Sequence, residues 1–395
     1  MFEFVAQIIF GISLTALVYT YIGYPLVLYL LGLVRPRVIK RAEIYPTVTL
    51  LITAFNEERD IGAKLENTLK LNYPKEKLEI LVASDGSTDK TDEIVKKFAD
   101  RGVKLFRQEG RVGKTFTQNK AVEQATGEKI LFSDATTMYQ PNVLSEILPN
   151  FADETVGCVS GKLIYVDPNR TSVGAGTKSY WNYETFLKER ESLACSLIGA
   201  SGCLYAVRRT AFKPMYPEAC SDFLIATIMY EQGLRTVYEP KAVCTEETNW
   251  QADKEMKMRV RVISQTFTDL WRNRRMMNPF ISGFYAIELF SHKVLRYAVP
   301  LFLILIFISS GVLVFYSVFF LVIFLLQIGF YLIALFARFF IKTGIFAIPL
   351  YFVLTNLASL IGFYKFLSGE QYATWEPIRE PQDENSKSEI YHRTT

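Results

Sequence analysis

Apolar and polar positions are distributed along this chain in two different textures. No charged residue occurs between Phe4 and Val34, and none between Val299 and Ala337. From about Arg35 to Met277 charges are spread among the apolar positions, as in a domain that meets water. The run from Val299 to Ala337 would make roughly 58 Å of helix at about 1.5 Å per residue. A hydrocarbon core is about 30 Å thick, so this run divides into two spans with a turn near Tyr316 and Ser317. A further apolar stretch, from about Gly344 to Leu367, is broken by Pro349 and Asn356. The N-terminal run adds one more span. It is too long for a signal peptide, whose apolar part covers about 7–15 residues after a basic start.

Within the central region the pattern alternates between strand and helix. Val48–Thr53 reads as a buried strand, followed by an amphipathic stretch from Glu57 to Leu69. Leu78–Ser84 and Val103–Phe106 are the next strands, with a helix from Thr88 to Ala99 between them. A helix from about Thr115 to Ala125 then leads to a strand at Lys129–Ser133. Such alternation implies right-handed crossovers and a largely parallel sheet, an α/β fold. The second half is less regular. Thr177–Glu191 has helical spacing, Cys203–Val207 and Arg235–Tyr238 read as strands, and Asp222 opens a helix to about Gln232.

The organisation expected is therefore a transmembrane helix at 1–34, a cytosolic α/β domain at 35–277, an interfacial amphipathic segment at 278–298, three membrane helices within 299–367 and a polar tail at 368–395. Basic residues prefer the cytosolic side of a span. Arg35, Arg37, Lys40 and Arg41 follow the first helix directly, and Arg338 and Lys342 lie between the last two. This puts the N-terminus outside and the α/β domain inside. Four crossings then place the tail outside, whereas a re-entrant last segment, marked by Pro349 and Asn356, keeps it cytosolic.

Composition narrows the chemistry. The net charge of the 395 residues is only +4, but Lys254, Lys257, Arg259, Arg261, Arg272, Arg274 and Arg275 crowd one stretch before the membrane. Such a stretch suits anionic lipid headgroups or a diphosphate, and with the membrane anchors it argues against nucleic acid. The five cysteines have no paired short spacing and read as reduced thiols. With His292 and His392 as the only histidines, histidine-based zinc or triad chemistry is nearly excluded.

In open parallel sheets, ligands bind outside the carboxyl ends of the strands. Three strand ends here deliver polar residues to one rim: Thr53 to Glu57, Asp85 to Asp89, and Asp134 to Thr137. Asp, Ser and Thr at such places also cap helices, and for Ser87, Thr88 and Asp89 that alternative stands beside the chemical one. Sugar transfer from a nucleotide diphosphate needs a nucleoside clamp, positive charge for the departing diphosphate, and a carboxylate base for the acceptor hydroxyl. The rim carboxylates, Lys114, Asp222 and the Arg259/Arg261 pair are able to supply that set.

The ordered series Thr53-Ala-Phe-Asn-Glu57, Asp85-Gly-Ser-Thr-Asp89, Gly113-Lys114 with Gln118-Asn119, Thr126-Gly127-Glu128 and Ser133-Asp134-Ala135-Thr136 resembles the family 2 inverting glycosyltransferases, which have a GT-A fold. The resemblance covers roughly residues 47–275, and the flanking spans are similar to those of the hyaluronan, cellulose and chitin-oligosaccharide synthases. It implies that Ala54, Asn56 and Glu57 surround the nucleoside, that Asp85 contacts the base, and that Lys114 lies near the nucleotide. Asp134 matches the first carboxylate of the DxD motif, on the side of the ribose and of a Mg²⁺ or Mn²⁺ ion. The second carboxylate of that motif is Thr136 here, and a hydroxyl is a poor replacement for an anionic metal ligand. Asp222 matches the catalytic base, and Gly199, Ser201 and Gly202 match the acceptor-side loop. Arg259 and Arg261 match the arginines of the QxxRW-type segment, with Met258 and Val262 at its glutamine and tryptophan positions.

The resemblance thus implies a nucleotide-sugar-dependent hexosyltransferase of the plasma or inner membrane, drawing on a UDP-sugar donor, a glycan or lipid-linked acceptor and membrane lipids. Transfer of a single sugar to a polyprenyl phosphate is the second enzymatic alternative. A degenerate nucleotide-binding regulator, favoured by Thr136, is the third.

Overall fold

The computed structural model describes residues 1–166, 172–247, 252–340 and 347–374. Lys342, Gly344 and the tail beyond Pro377 lie outside the described residues, as does the side chain of Arg338. The chain divides into two units. One comprises Met1–Pro36, Asn169–Arg190 and Asn249–Glu370; the other comprises Arg37–Pro168, Glu191–Thr248 and Gln371–Thr395.

The second unit is built on an eight-stranded sheet of order β3-β2-β1-β4-β7-β6-β8-β5. Its strands are β1 (Val48–Ala54), β2 (Leu78–Asp85), β3 (Val103–Gln108), β4 (Lys129–Asp134), β5 (Met138–Tyr139), β6 (Val156–Val166), β7 (Tyr205–Arg208) and β8 (Arg235–Glu247). The pairs β1–β2, β1–β4 and β2–β3 are parallel. Beyond β4 the sheet is mixed: β7 is antiparallel to both β4 and β6, while β6 and β8 run parallel. β1 is buried at every position, as a strand covered by helices on both faces must be. Helices Ile61–Leu69 and Thr91–Lys96 fall inside the expected helical stretches, and Lys114–Gln124 is shifted by one residue toward the N-terminus.

Three strands depart from expectation, the first being the two-residue β5, which was not anticipated. β6 was not anticipated, because burial along Val156–Gly161 on both faces leaves no alternation to read. The last strand was expected to stop at Tyr238, before Pro240. Proline removes a ladder donor and is tolerated mainly at edges and bulges. Here the β6–β8 register jumps from Gly161↔Glu239 to Lys162↔Val243, so Pro240 sits in a bulge and the strand continues to Glu247.

Among the described residues, the helical unit has four helices long and apolar enough to cross a membrane: Phe2–Val34, Phe284–Leu313, Val318–Ala337 and Ile348–Leu367. The turn expected at Tyr316 and Ser317 is present, and the Ser317 hydroxyl accepts the Phe319 amide at 3.2 Å as the next helix starts. Ala6 and Phe10 of the first helix pack with Ile306 and Leu313 of the second. The helix Ala347–Leu367 is not broken. Pro349 falls in its first turn, where its missing N–H costs nothing, and Asn356 Nδ2 donates back to the Phe352 carbonyl at 2.8 Å.

The segment 278–298 differs from the surface-lying helix expected. Tyr285, Ala286, Glu288, Leu289, Ser291 and His292 are buried, and Phe284–Leu313 is one candidate span. Its charged residues are held inside the unit, because Arg296 and His292 both bond the Glu184 carboxylate. The basic helix Ala252–Arg272 packs its Val260 and Ile263 against Ala358.

Finally, the described residues 371–374 belong to the α/β unit. A Cβ added to Gly113 would clash with the Ala373 carbonyl oxygen.

Candidate active site

Polar residues from three parallel strand ends stitch one rim together. Asn56 closes β1 in a left-handed conformation, φ 53°, which asparagine tolerates better than most residues. Its Oδ1 accepts the Thr88 amide at 2.7 Å, and its own amide donates to Ser87 Oγ at 3.1 Å. The Glu57 amide donates to Thr91 Oγ1 at 2.7 Å, and Ala54 is buried where β1 ends. Asp89 Oδ1 accepts the Thr91 amide at 2.9 Å from just outside helix Thr91–Lys96, whose N-cap is Lys90.

Asp85, at the end of β2, organises the following loop. Its Oδ1 accepts from the Val112 amide at 2.9 Å and from Thr117 Oγ1 at 2.8 Å, and its Oδ2 accepts the Gly113 amide at 2.9 Å. Gly113 has φ 104°, outside the range of an ordinary L residue. It hands the chain to helix Lys114–Gln124 with the Lys114 side chain turned to Asp134, at the end of β4, in an ion pair. Lys114 and Asp134 keep 26% and 30% of their side-chain surface exposed, so both are open to a ligand. Burial works against the Lys114 charge, but Asp134 beside it and Asp222 farther off raise its pKa above the ordinary value.

Asp222 sits at the second position of helix Ser221–Glu231, not at its N-cap, which is Cys220. Its Oδ1 accepts the Phe223 amide at 3.1 Å, and the helix dipole favours the ionised carboxylate there. Its Oδ2 would stand 2.9 Å from a Cβ on Gly202, so only glycine lets the loop approach so closely. The loop is fixed from behind: the Ala200 amide donates to the Asp222 carbonyl at 2.8 Å, and the Ser201 amide to Ser160 Oγ at 2.8 Å. Gly199 lies against Phe223. Asp222, Gly202, Lys114 and Asp134 all belong to the α/β unit.

Thr136 and its surroundings add two residues that the strand pattern did not reveal. Thr136 Oγ1 donates to Glu246 Oε1 at 3.0 Å. Burial raises the Glu246 carboxyl to about 7, and the Asp134 charge adds to that. Beneath them Lys64 is fully buried; its ammonium donates to the Thr137 carbonyl at 2.8 Å and lies 3.5 Å from the centroid of the Tyr139 ring. Burial lowers its pKa to about 7, against the opposing pull of the Cys244 and Cys203 thiols and of Asp134 and Glu246. All five cysteines are free thiols. Glu246 obeys the same strand-end rule that marks Asp85 and Asp134. It was missed because its strand was taken to end before Pro240.

Arg259 and Arg261 belong to the helical unit. Arg259 Nε donates to Glu255 Oε1 at 2.8 Å, its guanidinium also bonds the Tyr351 hydroxyl, and that hydroxyl donates to Glu255 Oε1 at 3.1 Å.

A parallel half-sheet that turns mixed after an acidic strand end, with a second carboxylate facing it from a helix start, is a GT-A architecture. Residues 49–215 match the family model described as Glycosyl transferase family 2. The poly-β-1,6-N-acetyl-D-glucosamine synthase of Staphylococcus aureus (strain COL) is 26% identical over 234 residues, 58% of this chain and 52% of that protein. That of Staphylococcus epidermidis is 24% identical over 233 residues, with the same 58% and 52% shares. The chain spans about half the length of these curated relatives. Among solved structures, the mannosyltransferase PcManGT from Pyrobaculum calidifontis, in complex with GDP-Man and Mn²⁺, superposes with a TM-score of 0.72 at 22% identity. The match covers 92% of this chain and 99% of that one, and it establishes the fold.

Proposed function

We propose that the protein is a membrane-bound inverting glycosyltransferase that moves a hexose or N-acetylhexosamine from a nucleotide-diphosphate sugar to a growing cell-surface glycan. The observation that carries this reading is the placement of Asp222 against Gly202, within electrostatic reach of the Lys114–Asp134 pair. Ala54, Asn56, Glu57 and Asp85 frame the nucleoside end, partly by holding the loop that presents Gly113 and Lys114. The Lys114 ammonium meets negative charge as the diphosphate departs. Asp222 takes the proton of the acceptor hydroxyl as it attacks the anomeric carbon from the opposite face. Gly199, Ser201 and Gly202 admit the acceptor sugar. Inversion by a single displacement makes a β-linkage from an α-linked donor.

A divalent cation fits this site by the chemistry of its donors, since Asp134 and the nearby Glu246 offer the hard oxygen ligands that Mg²⁺ and Mn²⁺ prefer. When bound, such an ion would neutralise the leaving diphosphate. The apolar helices seat the enzyme in the plasma membrane with its α/β unit in the cytosol. The return of Ala373 to that unit supports an odd number of crossings, with the last apolar helix re-entrant or interfacial.

A second reading, transfer of one sugar to a polyprenyl phosphate, is favoured by Val262 at the position where the chain-stacking tryptophan is expected. One experiment separates the two. Membranes containing the full chain are offered radiolabelled UDP- and GDP-sugars, with and without chelator, and product size is read. A polymer ladder supports the first reading and a single lipid-extractable sugar the second. Neither transfer nor donor hydrolysis from any nucleotide sugar would refute both.

A further inference from the structure

A metal-assisted donor site of this kind has an anionic ligand missing, because the position after Asp134-Ala135 is the neutral Thr136. The Thr136 hydroxyl does not face an apolar wall. It is bonded to a carboxylate that arrives from a different strand, Glu246 of β8. Two features bring that carboxylate there. β5 pairs antiparallel with β8, placing Met138 opposite Thr245, so the residues just before β5 face those just after Thr245. The bulge around Pro240 sets the register of this end of β8. Glu246 remains partly open to solvent, as a residue that meets a ligand must be.

We propose that Glu246 is the second anionic ligand of the donor-site cation, supplied by β8 in place of the carboxylate absent at Thr136. This rests on the metal-assisted reading above. Asp134 and Glu246 make a pair, and among the described residues no group of three or more His, Cys, Asp or Glu is placed to hold a metal. Ions held by one or two carboxylates complete their shell with substrate phosphates and water. The site therefore takes its cation together with the nucleotide diphosphate and does not retain it alone. The Thr136 hydroxyl orients the Glu246 carboxylate, as outer groups around metal ligands do.

The test is Mn²⁺ binding to the detergent-purified full chain, followed by electron paramagnetic resonance with UDP or GDP present or absent. The melting temperature of each variant is recorded alongside. The wild type should bind Mn²⁺ appreciably only with nucleotide. Glu246→Gln retains an oxygen for the Thr136 hydroxyl but loses the charge, and should weaken Mn²⁺ by at least about 10–100-fold. The double variant Thr136→Asp/Glu246→Ala returns a carboxylate to the other strand and should recover most of that loss. Thr136→Val, which removes only the orienting hydrogen bond, should weaken Mn²⁺ by less than Glu246→Gln does. Unchanged Mn²⁺ affinity in Glu246→Gln overturns the assignment of Glu246 while leaving metal use intact. No Mn²⁺ binding by the wild type with either nucleotide overturns both.

Discussion

The parallel half of the sheet and its mixed half present carboxylates to the same rim in opposite ways. At the end of β2, Asp85 spends both oxygens on one local loop, accepting from Val112, Gly113 and Thr117. In the mixed half, Asp222 keeps Oδ2 turned toward Gly202, and Glu246 reaches across to Thr136 with one oxygen. The parallel half shapes a cradle out of backbone, and on the function proposed above the mixed half brings the groups that act on the donor. Donor binding and chemistry are therefore expected to separate when the two halves are altered in turn.

The largest effect should come from Asp222→Asn, with kcat falling about 10²–10⁴-fold, the usual worth of a positioned base. Nucleotide affinity, measured by calorimetry on the same protein, should stay near wild type, and a matching loss of affinity would erase the division between halves. Asp85→Ala should act on the other side of the comparison. Loss of three acceptor contacts from a buried carboxylate costs about 3 kcal/mol or more, read as a lower Tm and weaker nucleotide binding. Gly113→Ala comes next, because it combines a strained φ, worth about 1–3 kcal/mol, with a clash against the Ala373 carbonyl. Nucleotide affinity should fall about tenfold, equivalent to about 1.4 kcal/mol, and removal of the chain after Glu370 should relieve only the part due to the clash.

The smallest effect concerns Lys64, which underlies both halves. Its folded-state pKa of about 7 lies below the unfolded value of about 10.4. Between those values the unfolded chain binds more protons, so this lysine makes stability rise with pH. Below about pH 7 both states carry the proton, and the full cost of the buried charge is present. Denaturant titrations of wild type and Lys64→Met should therefore show the wild type gaining on the variant from pH 7 to pH 10. A constant difference across that window would mean that the ammonium is not desolvated as its burial implies.

The parallel half was almost fully legible from its pattern, and the mixed half was not. Val48–Thr53, Leu78–Ser84, Val103–Phe106 and Lys129–Ser133 each lie within an observed strand that runs one or two residues further. These are short apolar runs bounded by turn residues, and each alternates with a helix of matching period. β6 is buried along most of its length and carries Gly157 and Gly161, so neither alternation nor propensity announces it. The end of β8 was hidden by a proline that a bulge accommodates. The candidate site divides the same way. Asp85, Lys114, Asp134 and Asp222 were visible as polar residues at element boundaries, whereas Glu246 and Lys64 were not.

By itself the sequence determined the two textures of the chain, the strand–helix alternation and the polar strand ends that form a rim. These depend on period and turn chemistry, which neighbouring residues encode. Only the tertiary structure decided that Glu246 meets Thr136 from 110 positions away, that Gly202 lies against Asp222, and that Ala373 comes back to Gly113. Each of these depends on which strands pair, in what register, and where the chain returns, and such choices are settled by packing over the whole sheet.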